Sequence, residues 1–463
     1  MRLLIFGTLL LGITGQTLAD TSPHDWHQKL QTIADVVDAK RIQQDVVQLV
    51  NFGTRHTLSQ ANHPTRGIGA ARRWLARQFQ NIAAECGGCL KVETVSATVQ
   101  GRRIPTPTEV VNVLAILPGT KDPKRVVMMT GDIDSRASDV MDAESDAPGA
   151  NDNASGLAAV LEAARVLSKH RFGATIVFAG LSGEEQGLYG GKILAQAAKQ
   201  RGWRIEAVIN NDMIGNIEGI DGVIDNTVAR IFSEGTRADE TPEMARYRRF
   251  HGGEVDSPSR NLARYVDRLA DQYLSNLDTW LIYRLDRFGR GGHHRPFNDA
   301  GFPAIRLMEA HEHYHRQHQN VRTENGVAYG DVVSGVNFDY AAKLTRLNTI
   351  TLASLAWAPA PPINVTLVGA VTANTTLCWQ PHADDKTKVA KYRIYWRRTD
   401  QPQWQYMREV GTRTQWTLNN IIIDNYYFGV SAVSNNGFES PIVFPGPIGA
   451  FTPWSAIDCS PKN

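Results

Sequence analysis

The chain has 463 residues, 42% of them hydrophobic, which is enough for two or three domains with buried cores. Lys and Arg number 49 against 47 Asp and Glu, leaving a formal net charge of +2. Composition therefore gives no field that would gather a nucleic acid or an anionic membrane.

The opening stretch, MRLLIFGTLLLGITGQTLA, carries one basic residue, a short apolar run and a small residue at Ala19. It reads as a secretory signal over residues 1–19, cleaved before Asp20 and too short to span a bilayer. No other stretch is long and apolar enough for a membrane helix, so the expected protein is secreted or periplasmic, with no membrane span. Residues 24–85 then show helical periodicity, as in HQKLQTIADVVDAKRIQQDVVQLV and AARRWLARQFQNIAA. From about 109 to 355 apolar strands alternate with amphipathic helices. The strands are VVNVLAIL, RVVMMTGDI, ATIVFAGL, EAVINNDMI and PAIRLME. Among the helices, GLAAVLEAARVLSKH places Leu157, Val160, Leu161 and Ala164 on one face.

That alternation predicts an α/β fold, a largely parallel mixed sheet flanked by helices on both faces, within a unit spanning 20–360. A polar, Arg-rich stretch from about 225 to 265 reads as an excursion over one side. After APAPPINV the texture changes. Residues 361–463 offer short strands with tryptophans and turn signals, including TTLCWQP, KYRIYWRR, TQWTL and YYFGVSAVS, and no helical pattern. This region resembles a fibronectin type III β-sandwich, with Trp379 on an early strand, Tyr392 on the next, and Tyr426 and Tyr427 near a later corner. An unrelated small β-domain is the alternative. Such a unit is expected to hold, space or bind an extracellular ligand.

Export changes how the four cysteines read. An even count in an oxidising compartment favours disulfides, and proximity pairs Cys86 with Cys89 and Cys378 with Cys459. A redox-active pair at 86 and 89 is the alternative, although no thioredoxin-like pattern surrounds it.

In open α/β sheets, sites gather at the carboxyl ends of the strands. Here those ends carry Asp132 and Asp134 in TGDIDS, Asp152 in PGANDNASG, Glu184 and Glu185 in SGEEQGL, and Asp212 in NNDMIG. His293 and His294 follow in GGHHRPF, then His311, His313, His315 and His318 in HEHYHRQHQN. Adjacent carboxylates at the end of a core strand repel and are partly desolvated. The bland reading has both beginning the next helix, where acids suit the positive end of the dipole. Six acids and a histidine cluster at successive strand ends point instead to a metal site. Zinc takes carboxylate oxygen and imidazole nitrogen. One bridging carboxylate can hold two ions about 3.5–4 Å apart, and bound water falls from a pKa of about 15.7 toward about 7. A further carboxylate that is not a ligand can then move the proton, worth about 10²–10⁴-fold. On this reading Glu185 binds metal and Glu184 shuttles the proton.

In that order and spacing, GDIDS, PGANDNASG, SGEEQGL and NNDM resemble the two-zinc exopeptidases of clan MH. That family includes bacterial leucyl aminopeptidases, glutamate carboxypeptidase II and glutaminyl cyclases, and the resemblance covers about residues 109–355. It implies two zinc ions, Asp152 as the bridging ligand, Glu184 as general base, and Glu185 and Asp212 each on one zinc. It also implies a peptide or small-protein substrate. GGHHRPFNDAGFPAI is similar to the family's Ser-Asp-His stretch, so His294 matches a substrate-pocket position and His293 stands where the family has an acid. A second departure lies in the first motif. Asp132 stands where the family has His, with Asp134 in the orienting place. A carboxylate at that position suits manganese, cobalt or magnesium as well as zinc.

The last ligand is His318, with His315 the alternative, and Asn320 is the nearest residue to the acid that the family carries just beyond. His251 and His382 read as surface or packing residues. The expected protein is an exported metal-dependent exopeptidase, foremost an aminopeptidase. A carboxypeptidase stays open, because Arg260 and Arg264 could meet a free carboxylate. A glutaminyl cyclase or a non-catalytic descendant is a further alternative, and the complete acidic set speaks against both.

Overall fold

A computed structural model describes residues 25–385 and 388–460, and the expected signal segment at 1–19 lies outside them. Helices at Asp25–Asp35, Ala39–Val50 and Gly67–Glu85 lead the chain. The second is capped by Asp38, whose side chain accepts from the Lys40 amide. The Cys86–Cys89 disulfide closes the turn after the third.

An eight-stranded sheet follows: β1 (Lys91–Gly101), β2 (Ile104–Leu117), β3 (Asp122–Asp132), β4 (Ala174–Leu181), β5 (Arg204–Asn211), β6 (Val228–Phe232), β7 (Asp278–Ile282) and β8 (Ala304–Glu309). Their order is β1-β2-β4-β3-β5-β8-β6-β7. The centre, β4-β3-β5-β8, is parallel, whereas β1–β2, β2–β4 and β8–β6 pair antiparallel. The apolar runs form the centre because helices cover both faces. In β4 every residue is buried, with Ile176 and Phe178 entering one core while Val177, Ala179 and Leu181 enter the other. Helices Gly156–Leu167 and Phe338–Trp357 cover the first face. Tyr189–Gln200 and His294–Asp299 cover the second. Full burial of each large side chain stabilises by about 1.5–3 kcal/mol.

The stretch from 225 to 265 is not wholly an excursion. Its first part is β6, which enters the sheet beside β8 and β7. Ala229 and Ile231 turn into the core while Arg230 lies on the other face, so a five-residue strand with a central arginine gave no apolar run. Helices Pro242–His251 and Pro258–Tyr273 follow, capped by Thr241 and Ser257 and each opened by proline. Arg260 and Arg264 lie on the second of these, both 1% exposed. They are absorbed in packing rather than presented to a ligand.

After Ala360 the chain forms two three-stranded antiparallel sheets. One holds Ile363–Val368, Thr375–Gln380 and Gln415–Leu418; the other holds Val389–Arg398, Tyr406–Glu409 and Tyr426–Ser434. They share a core built on Leu377, Trp379, Ile394, Phe428 and Val430, with the Trp379 and Tyr392 rings edge-on at 5.4 Å. The Cys378–Cys459 disulfide ties down the tail. Buried ion pairs lock this unit to the α/β unit. Asp256, fully buried, takes Arg264 Nη1 at 2.9 Å and Arg397 Nη2 at 2.8 Å on each oxygen. Arg264 Nε donates to the Pro402 carbonyl at 2.6 Å, and Tyr265 Oη donates to the Glu439 carbonyl at 3.0 Å. Among the described residues no helix is long and apolar enough to cross a membrane.

Candidate active site

The ends of β3, β4, β5 and β8 open onto one place, and each delivers side chains there. After β3 the chain loops out and returns through Gly149, whose φ of +51° is cheap for glycine. A wide helical turn, Ala150–Ser155, then carries Asp152, and the Asp152–Asn153 peptide is cis. At Gly156 a Cβ would lie 2.4 Å from both Asn153 Oδ1 and the Asn211 carbonyl, so only glycine lets the next helix start against β5. Asp331 cradles this turn, accepting from the Asn151 amide at 2.8 Å and the Asp152 amide at 2.6 Å. Asn151 Nδ2 donates to Glu309 Oε2, at the end of β8, at 2.8 Å.

β4 ends on the Glu184–Glu185 turn, which Asp134 clamps. Asp134 Oδ1 accepts the Glu184 amide at 3.3 Å, and Oδ2 accepts the Glu185 amide and the Thr57 hydroxyl, each at 3.1 Å. His318 Nε2 lies 2.9 Å from Asp152 Oδ2 and 3.0 Å from Glu185 Oε1. Ligand atoms of Asp152, Glu185 and His318 all fall within 4.8 Å of one another. His315 turns elsewhere, its ring packed on Tyr329 at 4.7 Å. Three non-glycine residues around this place hold left-handed backbone: Leu188 (φ 62°), Met213 (φ 60°) and His318 (φ 52°).

Asp132 and Asp212 flank this group with partners of their own. Asp132 Oδ1 meets His293 Nδ1 at 2.5 Å, and Asp132 Oδ2 accepts from Asn153 Nδ2 at 2.7 Å. The two departures from the family pattern therefore touch: a carboxylate stands in the imidazole's place, and an imidazole in the acid's. His293 Nε2 is buried without a protein partner, an orphaned donor or acceptor in an acid-lined site. Asp212 Oδ2 lies 3.0 Å from Arg306 Nη2, and Arg306 also pairs with Asp286 at 3.2 Å. His294 is fully buried with Nε2 2.8 Å from the Leu285 carbonyl, and it lines neither of the two cavities near the site.

The electrostatics follow from crowding. Burial, then the Glu185, Asp212, Asp132 and Asp152 charges, hold the half-buried Glu184 well above the usual carboxyl range. Burial, then Asp212 and Asp134, do the same to Asp132. Burial lifts Asp212 to about 6 despite Arg306. Burial would also raise Asp152, but the His318 hydrogen bond and charge outweigh it, and Arg287 and Arg290 add to the lowering. His318 moves the opposite way. Burial opposes its charge, yet Glu185 and Asp152 lift it to about 10. A site that gathers carboxylates around an imidazole in this way is built to hold positive charge.

The donor chemistry fits zinc: carboxylate oxygens and an imidazole nitrogen converge, with a second imidazole nitrogen unpartnered nearby. The model of peptidase family M28 matches residues 112–336, which contain every one of these acids. A probable zinc metalloprotease of Pyrenophora teres f. teres is 44% identical over 438 residues, covering 94% of this chain and 89% of that protein. The chain belongs to peptidase family M28. It is a zinc metallopeptidase. A probable zinc metalloprotease of Leptosphaeria maculans is likewise 44% identical, over 91% of this chain and 97% of its own length. Among solved structures, LapB of Legionella pneumophila superposes with a TM-score of 0.53 at 18% identity, covering 72% of this chain and 76% of that one. At that identity the likeness speaks for the fold alone.

Several residues that surround this acid cluster were not singled out by sequence. Arg306 carried a usable signal, a charge in the middle of a fully buried strand, PAIRLME. Asn151 and Asn153 lay inside a motif already read for its aspartate. Asp331 and Thr57 gave none, because each reaches the site from a loop remote in the chain.

Proposed function

We propose that this M28 peptidase is an exported aminopeptidase, removing N-terminal residues from peptides or small proteins, with Glu184 as the proton-transfer group. One observation carries the reading. Of the two adjacent glutamates, Glu185 has its carboxylate engaged by His318 beside Asp152, while the Glu184 carboxylate has no such partner among the described residues and its backbone is held by Asp134 and by the Gly187 and Leu188 amides. Asp152, Glu185 and His318 would hold one zinc; Asp152, Asp212 and Asp132 would serve a second. Zinc bound there supplies Lewis acidity and lowers the pKa of water from about 15.7 to about 7. Glu184 takes the proton as water adds to the scissile carbonyl and returns it to the leaving amine, worth about 10²–10⁴-fold. Asp134 keeps both glutamates in register while this happens. Arg260 and Arg264, the arginines that could have met a free carboxylate, are buried in packing, which favours an aminopeptidase over a carboxypeptidase.

The test uses aminoacyl and peptidyl chromogenic substrates, with free and blocked N-termini, before and after exhaustive chelation. Hydrolysis should require a free N-terminus, vanish on chelation and return with zinc. Activity in protein shown to be metal-free by elemental analysis would overturn the zinc mechanism. Cleavage confined to N-blocked peptides would overturn the aminopeptidase assignment.

A further inference from the structure

Beside the acid cluster the surface sinks into a cavity of about 580 Å³ whose charge is opposite to that of the site. Arg230, Arg284, Arg287 and Arg290 line it, against a single lining carboxylate, Glu312. Three of those guanidiniums converge on that one carboxylate: Arg230 Nη2 at 2.9 Å, Arg287 Nη1 at 3.1 Å and Arg290 Nη1 at 3.2 Å. Glu312 cannot neutralise them all. Burial works to raise it, but Arg287 and Arg230 prevail and hold it at about 2, so it stays charged throughout the working pH range. Arg284 makes no ion pair among the described residues, and its guanidinium lies over the Phe288 ring at 5.5 Å. Phe288 is 88% exposed and Tyr314 55%, so the rim is aromatic as well as cationic.

The cavity is wired to the acid cluster. Gln317 takes Arg290 Nη1 on Oε1 at 2.8 Å and donates through Nε2 to Glu312 at 3.1 Å. The next residue in the chain is His318, on Asp152 and Glu185. Arg287 and Arg290, both on the cavity wall, act electrostatically on Asp152, so the cavity lies within the field of the acid cluster.

We propose that this arginine-lined cavity binds a carboxylate of the peptide substrate, so that the enzyme prefers substrates carrying a negative charge beyond the scissile bond. This rests on the exopeptidase reading above and deepens it. Guanidinium groups present paired N–H donors matched to a carboxylate, and Arg284 on the open wall has its donors uncommitted among the described residues. The carboxylate has two sources, an acidic side chain or the C-terminus of a short peptide.

Steady-state kinetics on the full chain separate them. A peptide series keeps one apolar N-terminal residue, varies the following residue among Glu, Gln and Lys, and carries a free or amidated C-terminus. Wild type should favour at least one carboxylate form over its neutral isostere by about tenfold in kcat/KM, mainly through KM. Arg284→Gln should bring that ratio toward one, and Arg284→Lys should restore part of it. A Glu-over-Gln preference assigns the side chain; a free-over-amidated preference assigns the C-terminus. A ratio near one in wild type, or one untouched in Arg284→Gln, overturns the proposal while leaving the exopeptidase reading intact. If no peptide is cleaved, calorimetry with 3-phenylpropionate against its amide decides the cavity alone. Binding of the acid that is about tenfold weaker in Arg284→Gln supports it, and equal binding of acid and amide, or of acid to both proteins, overturns it.

Discussion

Asp256→Asn exchanges one carboxylate oxygen for an amide NH2 and keeps the side-chain shape, yet it removes the only charge, among the described residues, on which Arg264 and Arg397 converge. Both guanidiniums are 1% exposed and Asp256 is 0% exposed, so solvent cannot take over. Removing one partner of a buried pair costs about 3–5 kcal/mol, because a desolvated charge is left uncompensated. Neutral acceptors soften this: Arg264 still has the Pro402 and Val255 carbonyls, and Arg397 the Gln401 carbonyl. The expected loss is therefore at the low end, about 3 kcal/mol, against a total of about 5–15 for a typical fold. The control is Asp400→Asn, whose pair with Arg398 is 56% and 62% exposed and should cost under about 1 kcal/mol. Urea unfolding followed by tryptophan fluorescence reads both variants. Because Arg397 belongs to the C-terminal unit and Arg264 to the α/β unit, Asp256→Asn should also separate the two into distinct transitions. Midpoints indistinguishable between the two variants would refute the reasoning.

Glu184→Gln should keep full zinc content and lose at least about 10²-fold in turnover, whereas Glu185→Gln should lose zinc; equal metal loss in both, by elemental analysis, would mean the roles are misassigned. Asp132→His alone sets two imidazoles face to face and should weaken metal binding. The double exchange Asp132→His with His293→Asp restores an acid–imidazole contact and should recover it, so a double variant no better than the single one by cobalt absorption titration would sever the two positions. A chain ending at Ala360 strips Asp256 and Arg264 of their C-terminal partners and should be insoluble or much less heat-stable than the full chain. A soluble truncated protein with unaltered melting temperature would contradict that.

The central strands were legible because they are buried on both faces and read as unbroken apolar runs, ATIVFAGL most plainly. β1 and β6 were not. β1 is an edge strand with alternating exposed polar residues, and β6 is five residues long with Arg230 at its middle. Within the site, acids announced themselves by position, since a carboxylate after a core strand is expensive without a partner. Their partners did not. His293 lies 161 residues from Asp132, and Asp331 lies 179 from Asp152, so no local pattern links them. The arginines show the same limit from the other side. Arg260 and Arg264 looked available in sequence and are buried in packing, while Arg284 and Arg290, shortly upstream of the histidine pair, form the cationic wall.

The left-handed backbone at Leu188, Met213 and His318 bears on how far this protein can be made more rugged by design. Each such residue costs about 1–3 kcal/mol that glycine would not incur. Relief is not simply available. Met213 is 1% exposed and its Sδ accepts from the Gln317 side-chain Nε2, so Met213→Gly would trade that cost for a cavity worth about 2–5 kcal/mol. At His318 the side chain is the one that joins Asp152 to Glu185. Leu188, only half-buried, is the single position of the three where glycine can gain stability without emptying the core or disarming the site. A search for hardier variants should therefore look to Leu188 and to positions away from the strand ends, and leave Met213 and His318 as they are.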